Sequence, residues 1–164
     1  EYRIFNSSRP GIEERESFSL GNGSVSGITD LDGDGVPEIL ASDDRLLYFR
    51  DVTYASSPYL PLVLCRKEGG TYGNCTEGFP TTLDGAAAQF EGRLEHASNE
   101  GIYPDAVKGA ALGLLASRLL SNKEDLGWAK VEALCPDCAS WLRDNDAELR
   151  ERLAEAIPYG ELPR

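Results

Sequence analysis

The spacing of hydrophobic residues changes near residue 80. Before it, apolar and polar positions alternate in short runs, over residues 2–5, 16–20, 25–29, 38–42, 46–50 and 59–65. Turn-forming clusters separate them, among them Gly21-Asn22-Gly23-Ser24 and Asp43-Asp44. A two-residue period bounded by turn residues predicts strands, and a succession of short ones predicts an antiparallel meander. Pro61 has no amide hydrogen to give a neighbouring strand, so the run 59–65 is expected at an edge. Residues 67–74 are Gly-rich and read as a connection.

Beyond Pro80 the signals turn helical. Residues 86–97 are rich in Ala and Glu. Pro104 suits a first helical position, with Asp105 beside the positive end of the helix dipole, and that helix is expected to reach about residue 120. Asn122 is placed to cap a helix over 124–134. Asn145 and Glu148 have capping-box spacing for a helix over 147–157, which Pro158 ends. Gly109 and Gly113 frame a small-residue pattern in the most apolar stretch, and a segment this short points to close helix packing in a core. The resulting expectation is one α+β domain of 164 residues. Its β-rich part is 1–80, its helical part 81–164, and the small antiparallel meander packs against three or four C-terminal helices. Neither half is long enough to bury a comfortable core alone.

Charge narrows the partners. The formal net charge is -12, with 28 acids against 16 bases, and each half carries six more acids than bases. Phosphate backbones and anionic membranes select clustered Lys and Arg, so no nucleic-acid partner is expected. The apolar stretch from Gly109 to Leu120 is too short to span a bilayer and holds Arg118. The sequence begins Glu1-Tyr2-Arg3-Ile4-Phe5 and contains no Met, which reads as a mature end left after cleavage or a trimmed one.

The densest chemistry lies in Asp30-Leu31-Asp32-Gly33-Asp34-Gly35-Val36-Pro37-Glu38. Calcium takes six to eight hard oxygen ligands at flexible angles, whereas magnesium demands a stricter octahedron. Carboxylates on alternate residues of a tight loop can all turn inward, as Asp30, Asp32 and Asp34 would. The Val36 carbonyl and the Glu38 carboxylate would complete the set, and Gly33 and Gly35 allow the positive φ that such a wrap needs. Without a cation the crowded carboxylates repel one another. An EF-hand would need an acid at the twelfth position, which is Ala41, so that reading fails.

The stretch Ile28-Thr-Asp-Leu-Asp-Gly-Asp-Gly-Val-Pro-Glu-Ile-Leu40 instead resembles the FG-GAP or VCBS repeat of integrin-alpha propellers and many secreted bacterial proteins. The resemblance covers about 20 residues. It implies a strand entering the loop, a calcium ion held by Asp30, Asp32, Asp34, the Val36 carbonyl and Glu38, and an apolar strand leaving. Such repeats usually come in arrays, and this chain has one copy and too little β sequence for a propeller.

Cys65, Cys75, Cys135 and Cys138 make an even count that, beside a calcium loop, favours disulfides and an oxidising compartment. Three pairings are possible, of which Cys65–Cys75 and Cys135–Cys138 are preferred. Cys135-Pro136-Asp137-Cys138 has redox spacing, but a thioredoxin-like setting needs a preceding strand, and helical sequence lies on both sides. The pair is therefore expected to be structural. Zinc lacks a second closely spaced Cys pair. His96 is the single histidine; it could join such a site, and its helix is equally consistent with a surface position. No Gly-x-Ser-x-Gly motif occurs, and the haem motif fails because Ala139 follows Cys138. Tyr48, Phe49, Trp128 and Trp141 are expected in the core.

These readings converge on a calcium-stabilised, non-catalytic binding or accessory subunit of an extracytoplasmic assembly (periplasmic, secreted or at the cell surface) with a protein partner. An envelope hydrolase with an acidic site is one alternative, and a secreted inhibitor or immunity-type protein presenting residues 65–75 is another.

Overall fold

The structure is a computed structural model and describes residues 1–8, 11–100 and 104–158. Its six strands form two sheets. β1 (Tyr2–Ser8) and β2 (Gly11–Phe18) make an antiparallel hairpin of their own, separate from the sheet β3-β4-β5-β6. In that second sheet β3 is Val25–Thr29, β4 Glu38–Asp43, β5 Leu60–Arg66 and β6 Tyr72–Asn74, all antiparallel and in sequence order. Three of the expected strands, 25–29, 38–42 and 59–65, form a meander, its fourth strand β6 falls in the stretch 67–74 read as a connection, and the first two strands stand apart from it.

Two expectations fail for physical reasons. Residues 46–50 do not form a strand. They make tight turns with Tyr48 and Arg50 at positive φ, because Leu46, Leu47 and Phe49 all turn inward. A strand alternates its faces and cannot bury three of four consecutive side chains on one side. Pro61, read as marking an edge, lies in β5, an inner strand. β6 pairs only with Leu64, Cys65 and Arg66, so Pro61 has a strand neighbour on the β4 side alone and its missing donor breaks no ladder.

Five helices follow: α1 (Pro80–Glu100), α2 (Pro104–Leu120), α3 (Glu124–Leu134), α4 (Pro136–Asp144) and α5 (Asp146–Ala154). That is one more than the sequence reading allows, because Pro136 opens α4 where a bare cysteine ring was expected. α1 begins six residues earlier than expected. Two caps are corrected as well. Lys123, not Asn122, stands at the start of α3, and Asn122 takes a positive φ as the chain leaves α2. Asn145 makes no side-chain cap, and its amide donates instead to the Trp141 carbonyl at 2.7 Å.

α2 is the centre of the molecule. Residues 109–117 are all buried, as expected for a helix that is apolar on every side. A Cβ on Gly113 would lie 2.6 Å from the Phe90 ring, and one on Gly109 would overlap the Ser56 carbonyl, so both glycines mark close approach. The helical core also takes in Leu46, Phe49 and Leu60 from the β-rich half. A second cluster joins Phe18, Leu20, Ile39, Ala41, Leu62 and Leu64 to Ile157, which follows α5. Trp128 and Trp141 pack against the helical core, whereas Tyr48 is 62% exposed rather than interior.

A buried ion pair ties the two halves together. Asp43 and Arg45 are 1% and 5% exposed. The Arg45 guanidinium donates to both oxygens of Asp43 at 2.6–3.0 Å, and its remaining nitrogen reaches the carbonyls of Leu153 at 2.5 Å and Glu155 at 2.8 Å. It thus caps the C-terminal end of α5 from the end of β4. Both disulfides form with the preferred pairing, Cys65–Cys75 and Cys135–Cys138. Disulfides belong to oxidising compartments. No helix among the described residues is long and apolar enough to cross a membrane.

Candidate metal centre

The acidic loop links β3 to β4 and is wrapped by its own side chains. Asp30 accepts from two backbone amides, Gly33 at 2.7 Å and Gly35 at 2.9 Å, one on each carboxylate oxygen. Asp32 accepts from the Asp34 amide at 3.1 Å, and Asp34 from the Val36 amide at 2.6 Å. Glu38, the first residue of β4, accepts from the Leu31 amide at 2.7 Å and closes the loop across its base. Gly33 and Gly35 adopt φ of 81° and 85°, where a Cβ would be strained. Short Asp side chains satisfying amides two to five residues ahead are the reason this sequence coils rather than pairs as a hairpin.

The wrap brings one carboxylate oxygen each from Asp30, Asp32 and Glu38 within 4.8 Å of one another, an arrangement that could hold a metal ion. Asp34 lies outside that group, committed to the Val36 amide. Glu38 is 3% exposed, while Asp30 and Asp32 are exposed. None of the three pairs with a Lys or Arg among the described residues. A buried carboxylate with a single amide partner and two carboxylates beside it is electrostatically unfavourable, and a bound cation would offset that cost. Tyr72 adds a brace, its hydroxyl donating to the Pro37 carbonyl at 3.2 Å.

Two apolar side chains that the sequence reading passed over flank this loop. Ile28 is 66% exposed on β3, and Leu31 is 39% exposed within the loop. Strand parity does not show the exposure of Ile28: a register shift between Val25 and Gly27 breaks the alternation, and Ile28 pairs with the buried Ile39 of β4. β3 is itself the outer strand of its sheet, so its far edge has no strand partner among the described residues.

The other candidates are placed elsewhere. His96 is exposed and lines a cleft of about 270 Å³ with Arg93, Phe90 and Ser56. Residues 65–75 form a tight hairpin turn between β5 and β6 rather than a long protruding loop. Among the carboxyls with a resolved shift, Asp51, Asp84 and Glu124, each lies below its usual range, held there by hydrogen bonds from Lys108, Lys123 and Arg150 respectively. A general acid needs the opposite shift. The Tyr59 hydroxyl, 3.0 Å from that of Tyr54, is pushed up to about 12 by that hydrogen bond and by burial.

Comparison with protein-family models, curated proteins and solved structures returned no match for this chain.

Proposed function

We propose that this chain is a calcium-stabilised binding or accessory subunit of an extracytoplasmic protein assembly, with no catalytic role for the acidic loop. The observation that carries the reading is the convergence of Asp30, Asp32 and the buried Glu38 without a cationic side chain, in a loop whose amides already fix its shape. Oxygen-only donors and an adaptable loop favour calcium over softer or more rigidly coordinated ions. The likeness of residues 28–40 to the FG-GAP repeat supports the same ion, with Asp34 and the Val36 carbonyl completing the shell once the loop tightens. The metal is structural. It clamps the turn from which Ile28 and Leu31 project, and an exposed apolar pair beside an unpaired strand edge is the kind of surface a protein partner covers. The two disulfides support a place outside the cytoplasm.

The test is a thermal melt in excess calcium against the same protein in excess chelator. With calcium at ~100-fold its dissociation constant, binding adds about 2.7 kcal/mol, a rise of several degrees. Asp32→Ala is expected to abolish the rise. Absence of any shift, with no bound metal by elemental analysis, would reduce the loop to an acidic turn and sink the proposal.

A further inference from the structure

The Cys135–Cys138 disulfide does little that the fold requires of it. It spans three residues at the start of α4, a helix already anchored by Ala139 and Leu142, which are 2% and 0% exposed. The other bond, Cys65–Cys75, fastens β5 to the chain leaving β6. Stabilisation by a cross-link grows with the loop it closes, so a bond across a single helical turn contributes the least.

What the short ring does have is the local chemistry of exchange. Cys135 is the residue before the first turn of α4, and its Sγ accepts the backbone N–H of Cys138 at 3.2 Å. Cys135 is half-buried and next to the exposed Pro136 and Asp137, whereas Cys138 is 4% exposed and packed in the helical core. An incoming thiolate therefore meets one sulfur and not the other. A thiolate left on Cys135 inherits the hydrogen bond from Cys138 N–H, which stabilises its charge and makes it a better leaving group. α3 precedes the motif, so the site owes nothing to a strand-borne scaffold. These local features are what the chemistry needs.

We propose that Cys135–Cys138 is a thiol–disulfide exchange centre acting on the dithiols of a protein substrate. One substrate thiolate attacks Cys135 Sγ, forming a mixed disulfide while the Cys135–Cys138 bond breaks and Cys138 leaves as thiolate, which takes up a proton. The second substrate thiolate then attacks the substrate's own sulfur in the mixed disulfide. The substrate gains its disulfide and Cys135 departs as thiolate. Two electrons pass from the substrate dithiol to the pair, and the reverse sequence regenerates it at the expense of another disulfide.

The experiment equilibrates the intact protein with graded dithiothreitol, traps free thiols by alkylation and quantifies each cysteine by peptide mass spectrometry. Cys65–Cys75 serves as the internal reference. Cys135–Cys138 is expected to be half-reduced at a dithiothreitol concentration about tenfold lower or less. Presented with an unfolded, reduced protein dithiol, the oxidised chain should transfer its disulfide. In Cys138→Ser, first oxidised to a Cys135–glutathione disulfide, a substrate thiolate should attack Cys135 Sγ, forming a Cys135–substrate disulfide and releasing glutathione thiolate, whereas Cys135→Ser treated alike should not react through Cys138. The double variant Cys135→Ser/Cys138→Ser is expected to melt within a few degrees of the parent. Equal resistance of both disulfides, reaction through Cys138, or a large loss of melting temperature in the double variant would each overturn the proposal. Calcium dependence plays no part in these readouts, so they stand apart from the test of the acidic loop.

Discussion

Arg45 makes the most consequential single contacts in the molecule. Its charge is buried, and that is tolerable because every direction of the guanidinium is answered, by Asp43 on one side and the carbonyls of Leu153 and Glu155 on the other. Arg45→Met leaves Asp43 charged, buried and unpaired, and leaves the end of α5 uncapped. The expected loss is about 3–5 kcal/mol, read as a lowered urea midpoint. Removing both charges with Asp43→Asn/Arg45→Met is expected to cost less than the two single losses combined, because the pair no longer leaves an orphan. A double variant as damaged as that sum would show that the contacts act independently. Nothing in the local sequence announces this role. Asp43-Asp44-Arg45 reads as an exposed turn, and the partners that bury it lie about a hundred residues away. The acidic loop is the opposite case, since its hydrogen bonds all run between residues a few positions apart, and the alternation of Asp and Gly shows the wrap directly.

Among elements, the same division between local and distant causes decides what can be read in advance. α2 and α3 have the expected bounds because Pro104 and the Ser121-Asn122 break are local signals. The separation of β1 and β2 from the main sheet, and the inward turn over 46–50, depend on packing against residues distant in sequence. The helices are further held by ion pairs between them. Asp84 of α1 accepts from Arg118 of α2 at 2.6 Å and from Lys123, just before α3, at 2.5 Å; Glu124 of α3 accepts from Arg150 of α5 at 2.5 Å. These pairs hold both carboxyls below their usual range. A carboxyl depressed in the folded state contributes stability above its unfolded value of about 4, and that contribution is lost as pH falls through the lower folded value. The acid limb of a stability–pH profile should therefore decline below about pH 4, by a modest amount for each pair because solvent screens them. Asp84→Asn should flatten it, and added salt should mimic the variant in part, since the groups are exposed. An unchanged acid limb in Asp84→Asn would mean the pair is absent in solution.

At the scale of the whole molecule, the β-rich and helical halves share their interior. Leu46, Phe49 and Leu60 enter the helical core, Ile157 enters the sheet's cluster, and Arg45 crosses between them. Neither half keeps a closed apolar interior without the other, so the chain should unfold as a unit even though its chemistry is divided. The probes for this are well separated. Both tryptophans, Trp128 and Trp141, lie in the helical half, while the acidic loop lies at one edge of the sheet. Tryptophan fluorescence and far-ultraviolet dichroism should follow one coincident transition in urea. The linkage argument then carries a stronger consequence. An ion that binds only the folded loop stabilises everything that unfolds with it, so calcium should move the tryptophan transition as far as it moves the dichroism. A calcium shift seen in the dichroism but absent from the tryptophans would mean that the loop and sheet open separately from the helices, and would divide the chain near residue 80 into two cooperative units.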